Sequence, residues 1–322
     1  MSTHPDGEAG ERKYITEFGF HVRAIQLVVV QQQDLARLNG ETWKAKIQPS
    51  HIYLICRRPK ISVVAESTVF EAEAVSGTFR VWRGHDFEEV RYRVPNYLGT
   101  ADVSIHADYP GTHFEIRDPN GTKLTWGSSA MLMASLGPDF SPHLDLEVLY
   151  VGQSFGFEGS RTAQDRLQSH STLQAIHAEA LARSPDMDVW LVLVAFEDPY
   201  IITAMDPTRP TQTTDAEDDA HIEQVLSTDI SLQQEVNLTE AILIRYFDAQ
   251  YNTMFRHSFP NPAHATYREC YDLDFNSVSV EIETTDIGSR LWSARVAPAW
   301  LHIPRFPLHS ASERAEMFSL FD

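Results

Sequence analysis

The sequence predicts an α+β protein: an antiparallel β-rich N-terminal domain, a small mixed α/β domain, and a β or extended C-terminal tail. Three observations carry that expectation. Before residue 140, short runs of β-branched and aromatic residues recur at roughly 8–12-residue spacing with turn signals between them. Beyond it, strand-like runs alternate with stretches of helical periodicity. Charge divides at the same place. Residues 1–143 hold 15 of the 26 basic side chains and all five lysines, whereas 144–257 hold 6 basic against 19 acidic ones. Gly137-Pro138 and Ser141-Pro142 punctuate this boundary, so the expected domains are 1–140, 141–258 and 259–322.

Taken in order, residues 24–30 read as a buried strand, and 51–56 and 61–65 as strands on either side of Pro59. Stretches 69–75 and 78–82 flank Ser76-Gly77, a hairpin signal. Residues 90–94 and 113–117 alternate in polarity, and Asp118-Pro119-Asn120-Gly121 turns the chain into 122–126. In the middle stretch 146–151 is a strand, 152–159 a glycine-bearing loop, and 162–183 has apolar residues at helical spacing (Ala163, Leu167, Leu173, Ile176, Ala180). Residues 188–196 form a strongly hydrophobic strand. The acidic run 206–235 reads as an inserted, solvated loop with a short helix near 222–226. Residues 239–247 read as a helix with Thr239 or Asn237 as its N-cap. In the tail, 277–283 and 291–296 alternate, and Pro298, Pro304 and Pro307 mark an extended end.

Several classes are not expected. The longest apolar runs fall far short of the about 20 residues that a membrane span needs. The first residues are polar and acidic, unlike a secretory signal, and Cys56 and Cys270 stand too far apart in sequence for a disulfide framework or a CxxC metal site. The expectation is a cytoplasmic protein with no membrane partner.

One constellation in the middle stretch bears on chemistry. Tyr150-Val151-Gly152 ends a strand, Arg166 and His170 share one helical face at i and i+4, and Glu240 and Asn252 come much later. A carboxylate for a metal, a cation for phosphate charge and a base for water are the groups phosphodiester hydrolysis requires.

These residues resemble the motifs of the GIY-YIG nuclease superfamily over about residues 144–254. Tyr150-Val151-Gly152 looks like its second tyrosine motif, Arg166 and His170 like its Arg-and-His helix, and Glu240 with Asn252 like its late Glu helix and closing Asn. The resemblance implies a GIY-YIG-like α/β domain in which Glu240 binds one divalent ion, Mg²⁺ or Mn²⁺, and Arg166 stabilises the scissile phosphate. Tyr150 would act as base or orient water, and His170 and Asn252 would support the site. The family's first tyrosine strand, expected roughly ten residues before Tyr150, has no tyrosine here; His143 is the nearest candidate in that stretch. Arg161 is a further cation in the loop. The expected activity is endonucleolytic cleavage of nucleic acid.

A middle stretch so acidic is a poor generic DNA binder. The expected grip on a polyanion therefore falls to residues 1–140, where Arg80, Arg83, Arg91 and Arg93 are interleaved with Phe79, Trp82 and Tyr92. Two alternatives stay open: an inactive GIY-YIG-like interaction protein that binds a basic partner through its acidic surface, and a β-rich ligand-binding protein. Glu240 after Thr239 also suits a first helical turn on electrostatic grounds alone. His106, Asp108, His113 and Glu115 meet no metal-motif spacing.

Overall fold

The computed structural model describes residues 11–38, 40, 43, 45–154 and 171–318. The chain is a sheet-rich α+β structure. Its strands are β1 Thr16–Val30, β2 Ile52–Pro59, β3 Ile61–Val63, β4 Val69–Phe70, β5 Ala74–Arg83, β6 Asp86–Pro95, β7 Ser104–His106, β8 His113–Arg117 and β9 Lys123–Ser128. Then come β10 Leu146–Gln153, β11 Met187–Phe196, β12 Tyr200–Met205, β13 Ser277–Glu283, β14 Leu291–Trp292, β15 Leu301–His302 and β16 Arg305–Pro307. The α-helices are α1 Leu35–Leu38, α2 Ser129–Ser135, α3 Ser171–Arg183, α4 Asp215–Ser227, α5 Leu232–Phe247 and α6 Glu269–Asp272.

A nine-stranded sheet forms the frame, in the order β14-β10-β2-β11-β1-β13-β15, with β12 added beside β1 and β16 beside β13. Pairing is antiparallel except for β1 with β13 and β10 with β14. This sheet takes strands from all three expected segments, so its hydrogen bonds run across the composition boundaries near 140 and 258. Two smaller antiparallel sheets, β3–β6 and β7–β9, come from the stretch between β2 and β10.

Both faces of the main sheet are covered. On one, Leu54, Val151, Trp190 and Val192 pack with Leu238, Ala241 and Ile242 of α5. On the other, Tyr53, Ile55, Leu191 and Leu193 pack with Leu173 and Ile176 of α3. Burying each such aliphatic side chain contributes about 1.5–3 kcal/mol before opposing terms. That explains why β11 reads as a continuous apolar run rather than an alternating one.

The tail is tied in by a buried ion cluster. Arg314, 4% exposed, bonds the carboxylate of Glu17 on β1 and also Asp274. Burial alone would raise the Asp274 carboxyl, but hydrogen bonds from His309 and Lys13 and the charge of Arg314 hold it well below the usual range.

Three local expectations are corrected. Ser76-Gly77 is no turn: β5 runs straight through it and turns into β6 only after Arg83. Gly77 is there because the Tyr92 ring lies over it, where a Cβ would meet Tyr92 Oη at 2.6 Å. The acidic run 206–235 is largely helical, not a loop. Thr214 and Glu217 form a reciprocal capping box that starts α4, which offsets its weak apolar pattern. Finally, α5 begins at Leu232 with Ser231 as N-cap, not at Thr239. Its polar residues 233, 234 and 237 hid the first two turns.

Candidate functional site

The site is built around an open sheet edge. β10 pairs with β2 on one side, but on the other β14 reaches only Leu146 and Glu147. Beyond that point the backbone of β10 needs other partners. The loop after α5 supplies them. Tyr251 N–H donates to Leu149 O at 3.1 Å. The Asn252 side chain accepts from Val151 N–H at 2.9 Å and donates to Val151 O at 2.8 Å. One amide thus imitates a neighbouring strand.

A bulge at Leu149 sets which side chains face α3. It places Tyr150 opposite Ile55 and Gly152 opposite Tyr53. The Tyr53 and Tyr150 rings then lie 6.2 Å apart, tilted by 33°. Gly152 lets them approach, since a Cβ there would run into the Tyr53 ring and meet Tyr150 Cε1 at 2.6 Å.

From the other side, α5 presents Gln233, Asn237, Glu240 and Ile244 on one stripe, spaced at three and four residues. Gln153 at the end of β10 joins strand to helix. Its amide nitrogen donates to Glu240 Oε2 at 2.8 Å and to Asn237 Oδ1 at 3.0 Å. Asn237 in turn donates to Thr266 O at 3.0 Å. The carboxylate is therefore oriented by a chain of neutral donors anchored on backbone. A cleft of about 500 Å³ lies between these elements, walled also by Thr172, Tyr251, Thr253 and Phe255. The Tyr251 hydroxyl donates to Glu179 Oε2 at 2.5 Å. Burial and that hydrogen bond raise its pKa, so it remains a phenol rather than a phenolate.

No family model matches this chain, and neither does any curated protein or solved structure.

The sequence-derived candidates divide into three groups. Tyr150, Glu240 and Asn252 line the one cleft. Glu240 sits in the middle of α5, away from the first turn, so a helix-dipole role does not account for it. Arg161, Arg166 and His170 lie outside the described residues. The remaining arginines belong to the β5–β6 sheet and do not line the cleft. Arg80 and Arg83 stand 3.8 Å from Glu89 and Glu88, Arg93 bonds Glu71 at 2.7 Å, and Arg91 is exposed. His143 lies away from the cleft too, 3.7 Å from Glu88.

Tyr53 and Gln153 were missed. The run Ile52-Tyr53-Leu54 is legible as a strand, but only its pairing with β10 brings its tyrosine to Tyr150. Among the described residues no group of three or more His, Cys, Asp or Glu side chains could hold a metal ion. His106, Asp108, His113 and Glu115 share an open groove, where Glu115 is taken up by Arg117 and Lys123. No described helix is long and apolar enough to cross a membrane.

Proposed function

We propose that the cleft at the β10 edge hydrolyses phosphodiester bonds of nucleic acid with one Mg²⁺ or Mn²⁺, as in the GIY-YIG nucleases that the sequence resembles. One observation carries this reading: Tyr150 and Glu240, from distant stretches of chain, line one cleft beside the open strand edge, with the buried Tyr53 ring 6.2 Å from Tyr150. In this reading Tyr53 is the tyrosine that the stretch 139–143 lacks, supplied by the strand that pairs with β10.

The donor set suits a hard divalent ion of the Mg²⁺ type, which retains several waters and needs as few as one protein carboxylate. Glu240 would hold it, kept in place by Gln153. Such an ion supplies charge stabilisation and lowers the pKa of bound water. Tyr150 orients the attacking water or, as its phenolate, takes its proton, Arg166 meets the phosphate charge, and His170 and Arg161 support it. Asn252 holds the β10 edge rigid so that Tyr150 keeps its place. Nucleic acid is gripped largely through residues 1–140.

The test is incubation of purified protein with duplex DNA, single-stranded DNA and RNA, with and without Mg²⁺ or Mn²⁺. Metal-dependent cleavage that Glu240→Gln abolishes is expected. Absence of cleavage on every substrate, or full activity in Glu240→Gln, refutes the reading.

A second reading is favoured by electrostatics. The described cleft walls carry one carboxylate and no basic side chain, and three of the four arginines on the β5–β6 sheet face acids. This would be a non-catalytic protein that binds a basic partner through the exposed acids of α4, Asp215, Glu217 and Asp219. Capture of a basic peptide, lost at high salt and lost in an Asp215/Glu217/Asp219→Asn/Gln/Asn variant, distinguishes it.

A further inference from the structure

A separate cavity of about 450 Å³ opens where the end of β2 meets β14 and the turn before β10. Its walls include Arg58, Arg83 and His143, together with the apolar side chains of Met187, Trp292 and Pro298. Arg83 and His143 are residues that the β10 cleft leaves unused.

Arg58 is the anomaly. It is only 2% exposed, yet its Nε and Nη2 have no hydrogen-bond acceptor and no carboxylate lies within ion-pair distance among the described residues. Its guanidinium stacks over the Trp190 ring, 3.8 Å from the ring centroid. Asp188 lies across from it in the β2–β11 register, but its near cation is Lys60, at 3.9 Å. Burial lowers the Arg58 pKa to about 9, so it stays charged at neutral pH. A buried cation is costly unless it is matched, and two orphaned donors add to that cost. His143 Nδ1, on the same cavity, is likewise buried without a hydrogen-bond partner.

The other charges at the cavity are already matched. Arg57 pairs with Glu147 at 2.6 Å, and Arg290 makes a two-pronged pair with Asp145 at 2.6 and 2.9 Å. Arg83 stands 3.8 Å from Glu88, so among the described residues Arg58 is the wall charge without an ion-pair partner.

We propose that this cavity binds a small organic monocarboxylate with an apolar body. The carboxylate matches the charge of the Arg58 guanidinium in the wall, and the body packs on Met187, Trp292 and Pro298. A dianionic phosphate would bring a second negative charge that the wall does not match and no apolar body to pack on it. The site is independent of the β10 cleft and of any activity there.

The test is calorimetric titration of the full chain at fixed ionic strength with sodium benzoate, benzamide and inorganic phosphate. Saturable benzoate binding is expected, with benzamide and phosphate at least about tenfold weaker. Arg58→Gln should weaken benzoate by about tenfold or more. Because Arg58 is buried, a second variant, Trp292→Ala, checks the apolar wall and should also weaken benzoate several-fold. No saturable benzoate binding, equal binding of benzamide, or unchanged affinity in a folded Arg58→Gln or Trp292→Ala protein overturns the proposal.

Discussion

Asn252→Ala isolates the contact that closes the β10 edge. The substitution removes two hydrogen bonds, 2.9 and 2.8 Å long, from the backbone of Val151. Each is worth about 0.5–1.5 kcal/mol net when both partners can rehydrate. Here they cannot: Val151 is fully buried and Asn252 only 7% exposed. An orphaned buried group costs about 1–3 kcal/mol, so the expected loss is about 2–4 kcal/mol. Urea unfolding followed by far-UV circular dichroism reads it as a lower midpoint at unchanged slope. Asn252→Asp keeps the acceptor for Val151 N–H but turns an oxygen toward Val151 O, and should be no better than alanine. Thr253→Ala, exposed on the same loop, should stay within about 0.5 kcal/mol. A loss below about 1 kcal/mol for Asn252→Ala, or one equal to that of Thr253→Ala, would show that the amide does not hold the edge.

Three further outcomes follow from the same geometry. Gly152→Ala pushes a methyl into the Tyr53 and Tyr150 rings, and should cost about 1–3 kcal/mol in the same urea assay; a neutral effect would mean the rings part freely. Glu235 is raised to about 7 by burial and, secondarily, by Asp198, so the folded state holds its proton more tightly than the unfolded chain. Stability should therefore fall as pH rises from about 4.5 to about 7, and Glu235→Gln should flatten that slope in urea midpoints taken at pH 5 and pH 8; an unchanged slope counts against it. If cleavage is observed, Tyr150→Phe and Tyr53→Phe should each reduce it on the order of 100-fold while His143→Ala leaves it intact, and the reverse ranking in a single-turnover assay would remove the tyrosine pair from the site.

Local pattern determined much about this protein. The apolar run in β11, the strand that begins at Leu146 and the tail strand β13 all announce themselves by residue type at short range. The same holds for the alternation in β8 and the turn that follows it. The sequence order of Tyr150, Glu240 and Asn252 was likewise enough to nominate them, because each belongs to a short motif. Glycine was read less well: Gly77 and Gly152 both look like turn or loop signals, yet both serve to let an aromatic ring approach the backbone. A motif of two residues does not distinguish these uses, since the ring comes from another strand.

What tertiary structure alone decided is which distant pieces become neighbours. Tyr53 stands beside Tyr150 because β2 pairs with both β10 and β11, with two further small sheets set between β2 and β10 in sequence. Asn252 has its role because β14 stops short and leaves the Val151 backbone unpaired, a vacancy invisible without the sheet. In sequence Arg58 is simply one member of Arg57-Arg58-Pro59-Lys60, and only the tertiary structure stacks it on Trp190 and makes it a buried cation. The physical reason is the same in each case. Periodicity and turn chemistry report forces within a few residues, whereas strand order, edge closure and burial depend on loop-closing contacts between segments far apart in the chain, for which a single sequence carries no local mark.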